Sequence, residues 1–79
     1  MPDWRDYIVS TEGVLGGKPA VKGTRISADF ILGLFAAGWT MSSVLENYPS
    51  LTEDAVRAVF AYAADVLQDE AVFPLPAAN

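Results

Sequence analysis

Lys18, Lys22 and Arg25 fall within eight residues of one another in Gly16-Gly17-Lys18-Pro19-Ala20-Val21-Lys22-Gly23-Thr24-Arg25, with no acid among them. Cations at this density, on glycine-rich backbone, are suited to phosphate contact, as in the arms by which proteins hold nucleic-acid backbones. The surroundings have the opposite sign. Residues 1–17 carry Arg5 against Asp3, Asp6 and Glu12, and residues 26–79 carry Arg57 against seven acids, in a chain of formal net charge −5. A phosphate-binding loop of the nucleoside-triphosphatase type is excluded by residue order. That loop needs G-x-x-x-x-G-K-[ST], whereas here the order is Lys22-Gly23-Thr24, and Pro19 lacks a backbone donor. A purely structural use is equally consistent with the residues: Gly23-Thr24 making a turn and Arg25 pairing with Asp29 or Glu12.

Other chemistry is sparse. The chain has no histidine and no cysteine, which removes the commonest general base, the commonest metal ligand and any disulfide. Ser10, Thr24 and Ser27 have no histidine to activate them. Glu53-Asp54 and Asp69-Glu70 are adjacent pairs, and neighbours on a helix do not face each other, so neither suits acid–base work or metal binding. A non-enzymatic protein with no cofactor and no metal is predicted. Arg57 would lie at the start of a recognition helix if the domain bound DNA, although Glu53 stands four residues before it in the favoured order for an ion pair. Phe73-Pro74-Leu75-Pro76 is apolar and Pro-spaced, and such segments dock into grooves at low entropic cost. The alternative is a tail that covers its own helix or stays unstructured.

The elements that must position these residues can be read from periodicity. Tyr7-Ile-Val-Ser10 is β-branched and aromatic and predicts a short strand. Leu15–Lys22 predicts a second extended stretch around a Gly-Gly turn, with Pro19 confining it to edge strand or loop. Ser27 is an N-cap, and Phe30, Ile31, Leu34 and Phe35 follow at helical spacing up to Gly38, a helix over about 27–37. Thr40 caps a second helix, with Met41, Val44, Leu45 and Tyr48 on one face, ended by Pro49. Thr52 caps a third, in which Ala55, Val56, Val59, Phe60, Ala63 and Leu67 form a stripe fading near Asp69. The fold class expected is mainly α: a short N-terminal β arm or hairpin, then three helices of helix-turn-helix spacing, over residues 1–69, with 70–79 as an apolar tail.

At 79 residues this is a small domain, yet its hydrophobic content is 52 % and its mean hydropathy +0.26. Domains this small often gain stability by association, so a homodimer is expected. The longest apolar run, Phe30 to Trp39, is interrupted by Gly33 and Gly38 and is about half the ~20 residues of a membrane span. The polar start Met-Pro-Asp-Trp-Arg-Asp is unlike a signal peptide, so a cytoplasmic protein is predicted.

Gly16-Gly17-Lys18-Pro19-Ala20-Val21-Lys22-Gly23-Thr24-Arg25-Ile26 closely resembles the "GGKPvIkGTRI" signature of the domain of unknown function 433 family. The resemblance continues through Ala37-Gly38-Trp39-Thr40, Tyr48–Val56 and Ala61–Asp65, covering roughly residues 7–66. It implies a homeodomain-like or winged helix-turn-helix fold. It also implies an antitoxin of a type II toxin–antitoxin system, commonly encoded beside a PIN-like ribonuclease toxin and acting on that toxin and on operator DNA. Lys18, Pro19, Lys22, Gly23, Thr24 and Arg25 take the signature positions. Ser27-Ala28 stand where Pro-Val is common, Ser42-Ser43 replace the usual acids, and residues 70–79 have no counterpart in the pattern.

Overall fold

The structure is a computed structural model and describes residues 3–69. Its elements run in the order β1 (Ile8–Val9), β2 (Ala20–Val21), α1 (Ala28–Ala36), α2 (Met41–Asn47) and α3 (Glu53–Asp69), with single 3-10 turns at Trp4–Asp6 and Leu15–Gly17. The architecture is therefore mainly α with a small antiparallel sheet at its start. In that sheet Ile8 faces Val21 and Val9 faces Ala20.

Each helix begins where a hydroxyl satisfies an otherwise orphaned amide. Ser27 Oγ accepts from Phe30 N at 3.2 Å, Thr40 Oγ1 from Ser43 N at 3.1 Å, and Thr52 Oγ1 from Ala55 N at 3.1 Å. α1 stops at Gly38, which takes φ 97°, a conformation costly for any residue with a Cβ. Replacing Thr52 with Ala is expected to lower stability by about 1 kcal/mol, since the cap of the longest helix is lost. A urea titration followed by circular dichroism measures this, and Thr52→Ser should recover most of the loss.

The core lies where α3 crosses β1, α1 and the Trp4–Asp6 turn. Ile31, Val44, Val56 and Val59 are fully buried, surrounded by Ile8, Val21, Ala28, Leu51, Ala55 and Ala58. Ala55, Val56, Ala58 and Val59 place small and β-branched residues on one face of α3, which lets that helix approach the sheet closely. Aromatic pairs close the periphery: Phe35 meets Phe60 edge-on with ring centres 5.0 Å apart, and Phe30 meets Tyr48 at 5.7 Å.

One expectation is corrected. Leu15–Lys22 is not extended throughout, because Leu15–Gly17 forms a 3-10 turn and only Ala20–Val21 joins the sheet. Gly13, Gly16 and Gly17 have φ of 82°, 64° and 80°, and Leu15 itself has φ 52°. Backbone in the left-handed region curls and cannot remain in a strand.

Candidate nucleic-acid interface

The signature segment folds into a tight, hydrogen-bonded turn ahead of α1. Val21 N donates to Ile26 O at 3.0 Å, Thr24 N to Val21 O at 3.0 Å, and Ala28 N to Pro19 O at 2.8 Å, while Ala20 and Ser27 form an isolated antiparallel bridge. β2 is thus paired on both sides, with β1 and with the approach to α1. On the β1 side Lys22 N donates to Tyr7 O at 2.7 Å. Gly23 sits third in the Val21–Thr24 turn with φ 79°, the position where a type II turn demands positive φ.

Thr24 is part of this scaffold. Its hydroxyl donates to Val21 O at 2.8 Å and accepts from Ile26 N at 3.0 Å. Both bonds tie the side chain into the turn, so its role is to hold the loop and it has little freedom to meet a ligand. No heavy atom lies within 4 Å of the Cβ that Gly23→Ala would add, so that change meets only backbone strain. It is expected to cost about 1–2 kcal/mol. Thr24→Val keeps the shape and removes both hydroxyl bonds, and is expected to cost a similar amount. Thermal melts of the two variants check these values.

The cations divide into two groups. Arg5 pairs with Asp3 at 3.3 Å, Lys18 with Asp29 at 3.4 Å, and Arg57 with Glu53 at 2.6 Å. Asp29 therefore belongs to Lys18 and not to Arg25. The Ser27 hydroxyl beside it, and then the Lys18 ammonium, lower the Asp29 carboxyl below its ordinary range. Stability from this depressed group is present above the unfolded-state value and is lost as pH falls through the folded-state one. All three pairs are solvent-exposed, where such contacts contribute little.

Among the described residues Lys22 and Arg25 make no ion pair, and both are exposed. They flank the Gly23-Thr24 corner, so the rigid turn presents two uncommitted positive charges in a chain of net charge −5. The structure separates these two from the other residues in which phosphate contact was expected. Lys18 and Arg57 have carboxylate partners, and the leading turn of α3 is acidic, with exposed Glu53 and Asp54. Phe73, Pro74, Leu75 and Pro76, the expected partner-docking residues, lie outside the described residues.

Among the described residues no group of three or more His, Cys, Asp or Glu side chains could hold a metal, and no helix is long and apolar enough to cross a membrane.

These elements define a small three-helix domain with an N-terminal β pair, and comparison with known proteins identifies its family. The family described as "Protein of unknown function (DUF433)" matches residues 8–63, and the chain belongs to it. The crystal structure of a DUF433 member protein from Anabaena variabilis ATCC 29413 superposes with a TM-score of 0.76 at 28 % identity, covering 81 % of this chain and 63 % of that one. A further relative, "Uncharacterized protein y4eO" of Sinorhizobium fredii (strain NBRC 101917 / NGR234), is 36 % identical over 59 residues. Those residues are 75 % of this chain and 27 % of that protein, so the chain spans about a quarter of the relative's length.

Proposed function

We propose that this chain is the antitoxin of a type II toxin–antitoxin pair, a non-catalytic protein that binds a PIN-like ribonuclease toxin and, as a dimer, its own operon DNA. The observation that carries the nucleic-acid half of this reading is the pair Lys22 and Arg25, held exposed on a turn whose glycine and threonine are committed to rigidity. A two-fold dimer would present two such turns, giving local positive charge on an acidic protein. Phe60, Ala64 and Leu67 support the dimer. They lie at helical i, i+4, i+7 spacing on α3 and are exposed, Leu67 to 70 %. The toxin half rests on the signature resemblance, Gly16 to Ile26.

The test is co-expression with the product of the adjacent reading frame. Under this reading the two proteins co-purify, the toxin's ribonuclease activity is suppressed, and the complex shifts a duplex from its own upstream region. A chain that binds the upstream duplex with no neighbouring toxin would instead be a DNA-binding regulator, a reading the same turn supports. A chain that binds neither would be a dimerisation or interaction module.

A further inference from the structure

α3 has one face in the core and one outside it. Ala55, Val56, Ala58 and Val59 are buried where the helix meets β1 and α1, while Phe60, Ala64 and Leu67 form an exposed strip on the side away from them. Among the described residues the exposed large apolar side chains are Phe30, Phe60 and Leu67, so two of the three stand on this strip. Phe60 is fixed there by Phe35, whose ring it meets edge-on. From Ala58 to Ala64 the helix carries no charge. Another flank of α3 is closed by the chain itself. There the Trp4–Asp6 turn packs on the helix, Trp4 Nε1–H donates to Asp65, and Tyr62 meets Trp4 edge-on with ring centres 5.0 Å apart, the two rings walling a small cleft with Arg5 and Gln68. The fold covers that flank and leaves the Phe60–Leu67 strip open. Apolar residues at i, i+4 and i+7 on a solvent-facing side form a seam suited to a second helix.

We infer that this strip pairs with the same strip of a second copy, α3 against α3, antiparallel about a two-fold axis. The argument for that occupant is that the strip complements itself in shape and in charge. With the axis between Ala63 and Ala64, Phe60 of one copy stands level with Leu67 of the other, because the two are equally distant from it. Alanines meet at the centre, where two helices can approach to about 8 Å. The charges fit the same arrangement. α3 has Glu53 and Asp54 in its first turn and no basic residue in its last, so its own side chains leave the negative end of its dipole unanswered. Arg57 is the one basic residue of the helix, and its guanidinium has donors beyond the contact to Glu53. Arg57 lies about 10 Å along the helix from the axis, and the other copy's α3 ends about 8 Å from the axis on the same side. Antiparallel pairing thus sets each Arg57 beside the negative end of the opposite helix. A parallel pair would set Glu53 and Asp54 beside their own copies.

The inference rests on the dimer of the proposed reading and gives that dimer its interface. The strip lies on the side of α3 away from β1, and hence away from β2 and the basic turn, so pairing leaves Lys22 and Arg25 of both copies uncovered. Its test uses neither toxin nor DNA. Loss of toxin or DNA binding in a chain that still pairs through α3 counts against the proposed function alone.

The experiment uses the full chain, which has no cysteine. Sedimentation is expected to show a dimer that dissociates on dilution, since the strip is narrow for an interface. Ala64→Glu, at an exposed position, is expected to give a monomer at every concentration with helical circular dichroism retained. Under mild oxidation Ala64→Cys is expected to crosslink to its own copy. Gln68→Cys, also exposed, is expected not to, because its two copies lie about 14 Å apart along the pair, beyond the reach of a disulfide. A chain that stays monomeric at millimolar concentration overturns the inference. So does a dimer that Ala64→Glu leaves intact, a result that removes this interface while the proposed reading stands. Crosslinking of both cysteine variants, or of neither, overturns the antiparallel arrangement.

Discussion

Ile31→Ala is expected to abolish the cooperative unfolding transition or to bring it close to ambient temperature. Ile31 is fully buried on the face of α1 that meets α3, within the cluster that also holds Val44, Val56 and Val59. Removing its side-chain carbons forfeits transfer free energy and opens a cavity, together about 2–5 kcal/mol. A single core in a domain of this size supplies roughly 3–5 kcal/mol of net stability. The loss is thus comparable with the whole. Ile31→Val, which removes one methylene, should cost about 0.5–1.5 kcal/mol and leave a measurable transition. Urea unfolding followed by helical circular dichroism gives both values. A cooperative transition of unchanged midpoint in Ile31→Ala would show that α1 does not anchor this core.

The second large effect is on binding. Lys22→Ala with Arg25→Ala is expected to weaken binding to the upstream duplex while leaving the melting temperature unchanged, since neither side chain has a described partner within the fold. Loss of each phosphate contact should reduce the slope of log K against log salt by about 0.9. Lys18→Ala is the informative comparison. Lys18 is already engaged by Asp29 at 3.4 Å, so its removal should change the salt slope less than removal of either neighbour. Arg57→Ala releases Glu53 at the start of α3 and serves the same purpose on that helix. If the double variant keeps its affinity and its slope, the turn is a structural element only.

The three helices were legible in the chain because their signals are local. Ser27, Thr40 and Thr52 cap where the hydroxyl spacing places them, Gly38 ends α1 with φ 97°, and α3 runs Glu53–Asp69, as its apolar stripe predicts. Strand β1 was legible for the same reason, and the Glu53–Arg57 pair follows from i,i+4 geometry. A turn at Gly16-Gly17 was legible, but its extent was not: glycine permits both curled and extended backbone, so the chain alone did not show that only Ala20–Val21 joins the sheet.

The candidate site was half legible. Its residues could be picked out by charge, but two equally consistent uses of those charges remained until their surroundings were known. Lys18 finds Asp29 eleven residues away, and Trp4 finds Asp65 sixty-one residues away. Thr24 turns inward to the backbone on both sides of its own turn. Such pairings depend on which elements pack together, and no period or spacing along the chain encodes them. The sequence by itself determined the three helices to within a residue or two, a strand within Tyr7–Ser10, the acidic balance and the single basic segment, because propensity, capping and charge act within a few residues. Only the tertiary structure decided that Lys22 and Arg25 stay uncommitted among the described residues while Lys18 does not, and that Trp4 and Tyr62 wall a cleft at the end of α3. Those outcomes depend on distances through space, set when α3 packs across the sheet and the first turn of the chain.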